Sequence, residues 1–301
     1  MAVDPLSEVI ALLRPKAVFS KVISGAGRWG VRYTQFGQPS FCALLEGSCT
    51  LAVDKQGALT ISEGDFVLLP ATPGFELTSL EPGTPTVIDA RAAAADTSAG
   101  EIRHGTRGGR PDVRMLGGYF EFASPDSVML VSLLPAVLHV RGSATLPLLV
   151  RLVREESLGR RPGRDLVLTR LVEVLLIEAL RAAPGEQAPP GLLRGLADRH
   201  LAAAFRLMHG EPARGWTVEQ LARKSALSRS AFFDKFNRAV GVPPMEYLLC
   251  WRMALAKDLL RRNHLAIAEV AERVGYGSAS TFSTAFSRHV GQPPGQFARM
   301  H

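Results

Sequence analysis

Between Val218 and Phe297 one helix-turn-helix pattern is written twice. The first copy reads Val218-Glu-Gln-Leu-Ala-Arg-Lys-Ser-Ala-Leu-Ser228, then Phe232-Phe-Asp-Lys-Phe236, and closes at Gly241-Val-Pro-Pro244. The second reads Ile267-Ala-Glu-Val-Ala-Glu-Arg-Val-Gly-Tyr276, then Phe282-Ser-Thr-Ala-Phe286, and closes at Gly291-Gln-Pro-Pro294. The copies lie 49 residues apart before the turn and 50 after it, so the extra residue falls in the turn, where an insertion disturbs least. Two matching units in one chain imply two matching surfaces at a set spacing. Duplex DNA, whose major groove recurs about every 34 Å on one face, is the target that suits such a pair.

Each copy is locally self-consistent. Thr217, with Gln220 three residues on, has the form of a capping box, and Ser228 and Ser278 stand where each second helix would be capped. Phe232, Phe236 and Val240 recur every four residues, as do Phe282, Phe286 and Val290. That spacing stacks them on one helix face and makes them core, not surfaces for stacking on bases. Between the copies, Pro244 to Arg262 reads as one helix with an inward stripe of Leu248, Trp251, Leu255 and Leu259. Its 19 residues span about 28 Å at 1.5 Å per residue, close to the groove repeat.

The charge is confined to the same region. Residues 1–190 hold 19 Lys and Arg against 20 Asp and Glu, whereas residues 191–301 hold 16 against 8. A basic module joined to a near-neutral one is the footprint of a polyanion-binding unit attached to something else. At 301 residues two or three domains are expected. The start has no secretory pattern, and no stretch is apolar enough to span a bilayer, since Val167–Leu180 is broken by Arg170, Glu173 and Glu178. Three cysteines make no disulfide framework, so the expected setting is the cytoplasm, with no membrane partner.

The first 140 residues read as short strands between turn residues. These are 17–24, 29–33, 41–46, 49–54, 58–61, 65–69, 75–79 and 86–90, with one or two more in Val113–Phe122. Glu46-Gly47 is expected to turn a tight hairpin, which would put Cys42 and Cys49 on one sheet face as a diagonal pair; they read as buried small apolar residues, and a redox switch would need favourable geometry as well. The fold class is α+β multidomain: a small β-barrel followed by an all-α tandem helix-turn-helix. Helical periodicity takes over at Leu146–Ser157 and Asp165–Ala182, whose apolar faces pack on the barrel or form a dimer interface. The domains are thus 1–145 (barrel), 146–182 (helical pair, a candidate homodimer contact), 183–191 (Pro/Gly-rich linker) and 192–301 (tandem unit).

The tandem unit, with Trp251-Arg252-Met253 in its connector, Val270-Ala271-Glu-Arg-Val-Gly-Tyr276 and Gly291-Gln-Pro-Pro294, resembles the AraC/XylS transcription regulators. The front end, with Gly64-Asp65-Phe-Val-Leu-Leu-Pro70, resembles the cupin sensor domain of one branch of that family. The resemblance implies a regulator, commonly an activator, that binds double-stranded promoter DNA and works with RNA polymerase. It assigns Ser230, Phe233 and Asp234 in the first copy, and Ala279, Ser280, Ser283 and Thr284 in the second, to face the bases. Arg229, Lys235, Arg238 and Arg288 are placed for phosphates, which position without specifying. Asp234 departs from the basic residue common there; it could accept from cytosine N4 or pair with Arg238.

Catalytic cupins hold a metal on histidines and a glutamate. Here Phe41-Cys42-Ala-Leu-Leu-Glu46-Gly47 has no histidine, and Phe75 stands where the family's later histidine would be. No metal, cofactor or catalytic residue is expected, and His104 and His139 read as structural. What remains is a barrel mouth suited to a small-molecule effector, with Trp29, Arg32, Tyr33 and Phe75 as its expected contacts. Two alternatives stay open: a cupin metalloenzyme fused to a DNA-binding tail, and a regulator that needs no ligand.

Overall fold

The computed structural model describes residues 4–34, 37–89, 101–122, 131, 134–159, 161–182, 190–262 and 265–300. Its contacts divide the chain into two units, Arg14–Ala183 and a second made of Met1–Leu13 with Pro184–His301. The chain therefore passes between units twice.

The first unit is a two-sheet β structure with a helical cover. Its strands are β1 (Pro15–Ala26), β2 (Gly30–Tyr33), β3 (Ser40–Glu46), β4 (Ser48–Val53), β5 (Gly57–Ser62), β6 (Phe66–Leu69), β7 (Phe75–Thr78), β8 (Thr86–Ile88), β9 (Glu101–Gly105), β10 (Val113–Phe122) and β11 (Leu138–Val140). One sheet runs β11-β6-β3-β10-β1-β9 and the other β5-β4-β7-β2-β8. Alternating residues face inward: Val31 and Tyr33 from β2, Cys49, Leu51 and Val53 from β4, Val67 and Leu69 from β6, Val113 and Met115 from β10. The period of two that marked these strands in the sequence is the period that fills this core.

The expected hairpin at Glu46-Gly47 does not form. β3 pairs with β10 and β6, while β4 pairs with β5 and β7, so Gly47 carries the chain from one sheet to the other. Its φ of 77° and the Asp112 carbonyl oxygen, 2.0 Å from where a Cβ would stand, both demand glycine. A tight turn and an inter-sheet corner need the same backbone conformation, and neighbouring sequence does not separate them. Val113–Phe122 forms one long strand, β10, and β9 and β11 had no counterpart among the expected strands.

Helices α2 (Thr145–Leu158) and α3 (Arg164–Arg181) cover the six-stranded sheet, packing on β1, β3 and β11. β6 is therefore buried on both faces, which is why Phe66-Val-Leu-Leu69 is an unbroken apolar run. A hydrogen-bond knot ties the end of this sheet: Asp65 accepts from Ser62 N and Gly142 N, and its Oδ2 lies 2.9 Å from His139 Nε2. Burial alone would raise the Asp65 carboxyl, but these bonds hold it below the usual carboxylate range.

The second unit begins with α1 (Pro5–Leu13), which the sequence reading left inside the barrel domain. Leu6, Val9, Ile10 and Leu13 recur at i, i+3, i+4 and i+7 and are buried against α5 (Leu201–Gly210) and α8 (Pro244–Arg262). The unit also holds α4 (Leu192–Ala197), α6 (Val218–Lys224), α7 (Arg229–Val240), α9 (Ile267–Arg273), α10 (Ala279–Val290) and α11 (Pro294–Met300). The expected linker lies outside the described residues except for Pro190 and Gly191.

The two turns superpose bond for bond in the chain. Leu227 N donates to Ala222 O and Tyr276 N to Ala271 O, 49 residues on. Ala226 and Gly275 occupy the same left-handed position, at φ 53° and 83°. The extra residue of the second copy is Gly277, between Tyr276 and the cap Ser278. Alanine is strained in this conformation by about 1–2 kcal/mol, of which glycine's greater freedom in the unfolded chain offsets part. Ala226→Gly should therefore stabilise the second unit by about 0.5–1 kcal/mol in urea titrations. Gly275→Ala should destabilise it, because its Cβ would stand 2.5 Å from the Ala213 carbonyl oxygen.

Candidate nucleic-acid interface and ligand cavity

Local chemistry sets both recognition helices alike. The Thr217–Gln220 capping box starts α6, with both reciprocal bonds present. Ser228 caps α7 by accepting from Ala231 N at 3.2 Å, and Ser278 caps α10 by accepting from Thr281 N at 3.1 Å. Gly241 and Gly291 end the two helices in the left-handed conformation. Phe232 and Phe236, like Phe282 and Phe286, are fully buried. Their burial fixes which faces of α7 and α10 are left to solvent.

On α7 the outward face carries Arg229, Ser230, Phe233, Asp234 and Arg238, all exposed. Phe233, 40% exposed, is the one large ring on this face. Asp234 forms no ion pair with Arg238 or any other described residue, so its carboxylate faces solvent. On α10, Ser280, Thr284 and Arg288 are exposed, whereas Ala279 and Ser283 are half-buried. The Ser283 and Thr284 hydroxyls donate to Ala279 O and Ser280 O in their own helix, leaving acceptor capacity outward. The sequence reading passed over Ala231, Asn237 and Thr281, also exposed on these helices. Helical spacing reaches Asn237 from Ser230, seven residues on, and reaches Ala231 and Thr281 from Asp234 and Thr284, three residues back.

Lys235 has an ion-pair partner within the protein. Its Nζ lies 2.6 Å from Asp198 Oδ2, while Asp198 Oδ1 accepts from His200 N and Leu201 N at the start of α5. Burial pulls the Asp198 carboxyl up, but Lys235 and the two backbone donors hold it below the usual range. Arg194, Lys235 and Arg238 thus ring a hollow whose floor is one carboxylate. An approaching phosphate meets the Lys235 charge partly cancelled.

The sequence reading also did not single out His209. Its Nε2 lies 2.7 Å from the Tyr247 hydroxyl, and its ring stacks on Trp251 at 3.9 Å. Burial pushes its pKa down to about 3, so it is neutral and structural.

In the β unit a cavity of about 100 Å³ lies between the sheets. Tyr33 and Phe75 line it, stacked with ring centroids 4.9 Å apart, and burial raises the Tyr33 phenol to about 12. Trp29 and Arg32, the other expected contacts, are not in its wall. Trp29 is buried against His104, with ring centroids 5.8 Å apart, and Arg32 pairs with Asp54 and Glu76 at half-exposed positions. Residues alternate along β2, so Arg32 faces opposite to Tyr33. His139 has its Asp65 partner, but the Nε2 of His104 is buried without one. Cys42 and Cys49 sit in different sheets and both pack in the inter-sheet core, so the diagonal pair does not exist. Burial pushes the Cys42 thiol up to about 12 and the Cys49 thiol higher still, which disfavours thiolate chemistry.

A cupin family model matches residues 4–183, more than half of the chain, and a helix-turn-helix domain model matches residues 221–300. An AraC-like transcription regulator from Streptomyces lividans is 35% identical over 98% of each chain. One from Streptomyces antibioticus is 34% identical over the same shares. The chain belongs to the AraC-type transcription regulators. Among solved structures it is similar to the DNA-binding domain of AdpA, a global transcriptional factor, in complex with a target DNA. That match has 25% identity, a TM-score of 0.32, and covers 34% of this chain and 92% of that one. By the two family matches, this regulator is an α+β protein with a cupin N-terminal domain and a helix-turn-helix DNA-binding region. Among the described residues no helix is long and apolar enough to cross a membrane.

The Asp198–Lys235 pair yields a test on the intact regulator. Asp198→Asn keeps an acceptor for the α5 cap and removes the charge opposing Lys235. Affinity for duplex DNA should rise, and the plot of log affinity against log salt should steepen by about one unit, as one more phosphate contact would require.

Proposed function

We propose that this regulator reads promoter DNA with the outward faces of α7 and α10, and that a small effector in the β-unit cavity sets its activity. The observation that carries the DNA part is the matched pair of recognition helices. Both are capped by serine and closed by a left-handed glycine, and both expose Ser, Arg and short polar groups opposite buried phenylalanines. Arg229, Arg238 and Arg288 have no ion-pair partner among the described residues and serve as phosphate contacts. Phe233, Asp234, Ser280 and Thr284 serve as base contacts, with thymine methyl and cytosine N4 the natural partners of the first two. The domain limits proposed from these contacts are Arg14–Ala183 for sensing and Pro184–His301 with α1 for DNA.

The effector shifts activity only by binding the DNA-competent arrangement better than the other. Activation through RNA polymerase in the cytoplasm is the proposed outcome. The relatives' description as regulators, and a cavity wall of apolar groups, favour sensing over catalysis.

The DNA reading is checked by salt titrations on the full chain. Arg229→Ala and Arg288→Ala should each weaken binding on all sequences alike and lower the salt slope by about one. Asp234→Asn should instead change preference at one or two base pairs, by about 1–3 kcal/mol each. A changed preference from the arginine variants would reverse these roles.

A second copy is the proposed partner of the β unit. Leu152 and Leu166, 48% and 63% exposed, lie on helices whose opposite faces are fully buried on the sheet. Leu152→Glu combined with Leu166→Glu should turn a dimer into a monomer in sedimentation experiments and leave thermal stability nearly unchanged. A monomeric parent chain would remove this part of the proposal.

A further inference from the structure

We infer that Arg194 on α4, a residue outside both helix-turn-helix copies, holds a DNA backbone phosphate in the basic hollow beside α7. This rests on reading the outward face of α7 as a DNA surface. It extends that surface to a helix lying before residues 221–300, the span of the helix-turn-helix match.

Packing fixes α4 on the end of α7. Leu192 and Leu193 are buried, and Gly191 N donates to Ala239 O at 2.9 Å. A Cβ on Gly195 would stand 2.4 Å from Phe205 Cε2 and 3.2 Å from Val240 Cγ2, so the helix is seated against both α5 and α7. Arg194, between the buried Leu193 and Gly195, is half-buried and lines the hollow with Asp198, Lys235, Arg238 and Ala239. Lys235, Arg238 and Ala239 stand at i, i+3 and i+4 on one face of α7. Arg238 also follows Asp234 by four residues, so the hollow continues the row of outward side chains assigned to DNA.

Charge and open donors select a phosphate. Three cations face one carboxylate, and that carboxylate is already engaged by Lys235 Nζ at 2.6 Å and by two backbone N–H groups. Arg194 and Arg238 make no hydrogen bond or ion pair among the described residues, so two guanidinium forks remain open to an acceptor. Clustered cations in a concave wall focus a positive potential, and the planar guanidinium matches phosphate oxygens in pairs. The hollow measures about 240 Å³, against the roughly 10–15 Å³ that admits one water, and so has room for a phosphodiester with its hydration. Continuity with the α7 face commits the occupant to the DNA backbone. A duplex lying along Asp234 and Arg238 brings its sugar-phosphate strand past the end of α7, where α4 stands. Such a contact positions the regulator without reading a base.

Two experiments on the full chain test this. In salt titrations with duplex DNA, Arg194→Gln should weaken binding at least about threefold on every sequence alike and lower the salt slope by about one unit. Arg194→Lys, which keeps the charge, should restore the slope, a rescue that a purely structural role would not show. Arg194→Gln combined with Arg238→Gln should lower the slope by about two, one for each phosphate. An unchanged slope in the Arg194→Gln chain, or an altered sequence preference, overturns the inference. The second experiment needs no variant to fold: phenylglyoxal modification of the parent chain, read by mass spectrometry. Duplex DNA should protect Arg194 at low salt, and inorganic phosphate at the same phosphate concentration should not. Equal protection by inorganic phosphate makes the hollow a site for free anions and overturns the assignment to DNA. If Arg229, Arg238 and Arg288 are protected by the duplex and Arg194 is not, this inference alone falls. If none of the four is protected, the DNA reading of α7 and α10 falls with it.

Discussion

The α8 helix supplies core to both helix-turn-helix copies, and that double burial is the constraint on which the DNA-binding unit depends. Near its start, Tyr247 meets Phe205 and Phe236 edge-on, and Trp251 stacks on His209. Further along, Met253, Ala256 and Leu260 are buried with Val270, Phe282, Phe286 and Phe297 of the second copy. Each copy alone is two short helices with one apolar face, too little to bury a core. Because both faces lie on one continuous helix, the spacing of the two copies follows from a backbone rise and not from loop conformation. This also explains why the expected single stripe is only half right. Leu248 and Trp251 are buried, but Leu255 and Leu259 are partly exposed, because the buried face rotates as the helix passes from one core to the other.

The two copies share a scaffold but not a surface. Their serine caps, left-handed turn positions and phenylalanine ladders match, since these set backbone geometry, whereas the Thr217–Gln220 capping box and the extra Gly277 each belong to one copy. Their outward residues differ: Phe233 and Asp234 face solvent where Ser283 and Thr284 stand in the second copy. Hydroxyls that already donate to their own helix can only accept from a base, so the second copy has the weaker vocabulary. The first copy carries more charge, yet part of it is cancelled by Asp198, a residue from outside the helix-turn-helix.

Periodic signals were legible. The strands from 17 to 90 and both covering helices appear within a few residues of their expected limits, because alternation and the 3.6-residue period reflect burial directly. The N-terminal helix was missed by the sequence reading although its signals were present: Asp4 before Pro5 is a helix start, and Leu6, Val9, Ile10 and Leu13 form a stripe. No local signal said that this stripe belongs with residues two hundred positions away. The cavity was half legible. Tyr33 and Phe75 line it, but Lys21 and Gly117 announce themselves only through strand neighbours far apart in the chain, although glycines at 117 and 118 inside an apolar strand were a visible clue.

The amino-acid sequence by itself determined what neighbours within about ten residues can settle: helix caps, the two turns, the aromatic ladders and the basic field over residues 191–301. Tertiary structure decided which sheet each strand joined, that Gly47 is a corner and not a hairpin, that α1 packs with the DNA-binding helices, and that Asp198 engages Lys235. The division has one physical cause. Local preference is set by backbone sterics and periodicity, whereas partner choice is set by the mutual burial of surfaces that meet only once the chain has closed over long distances.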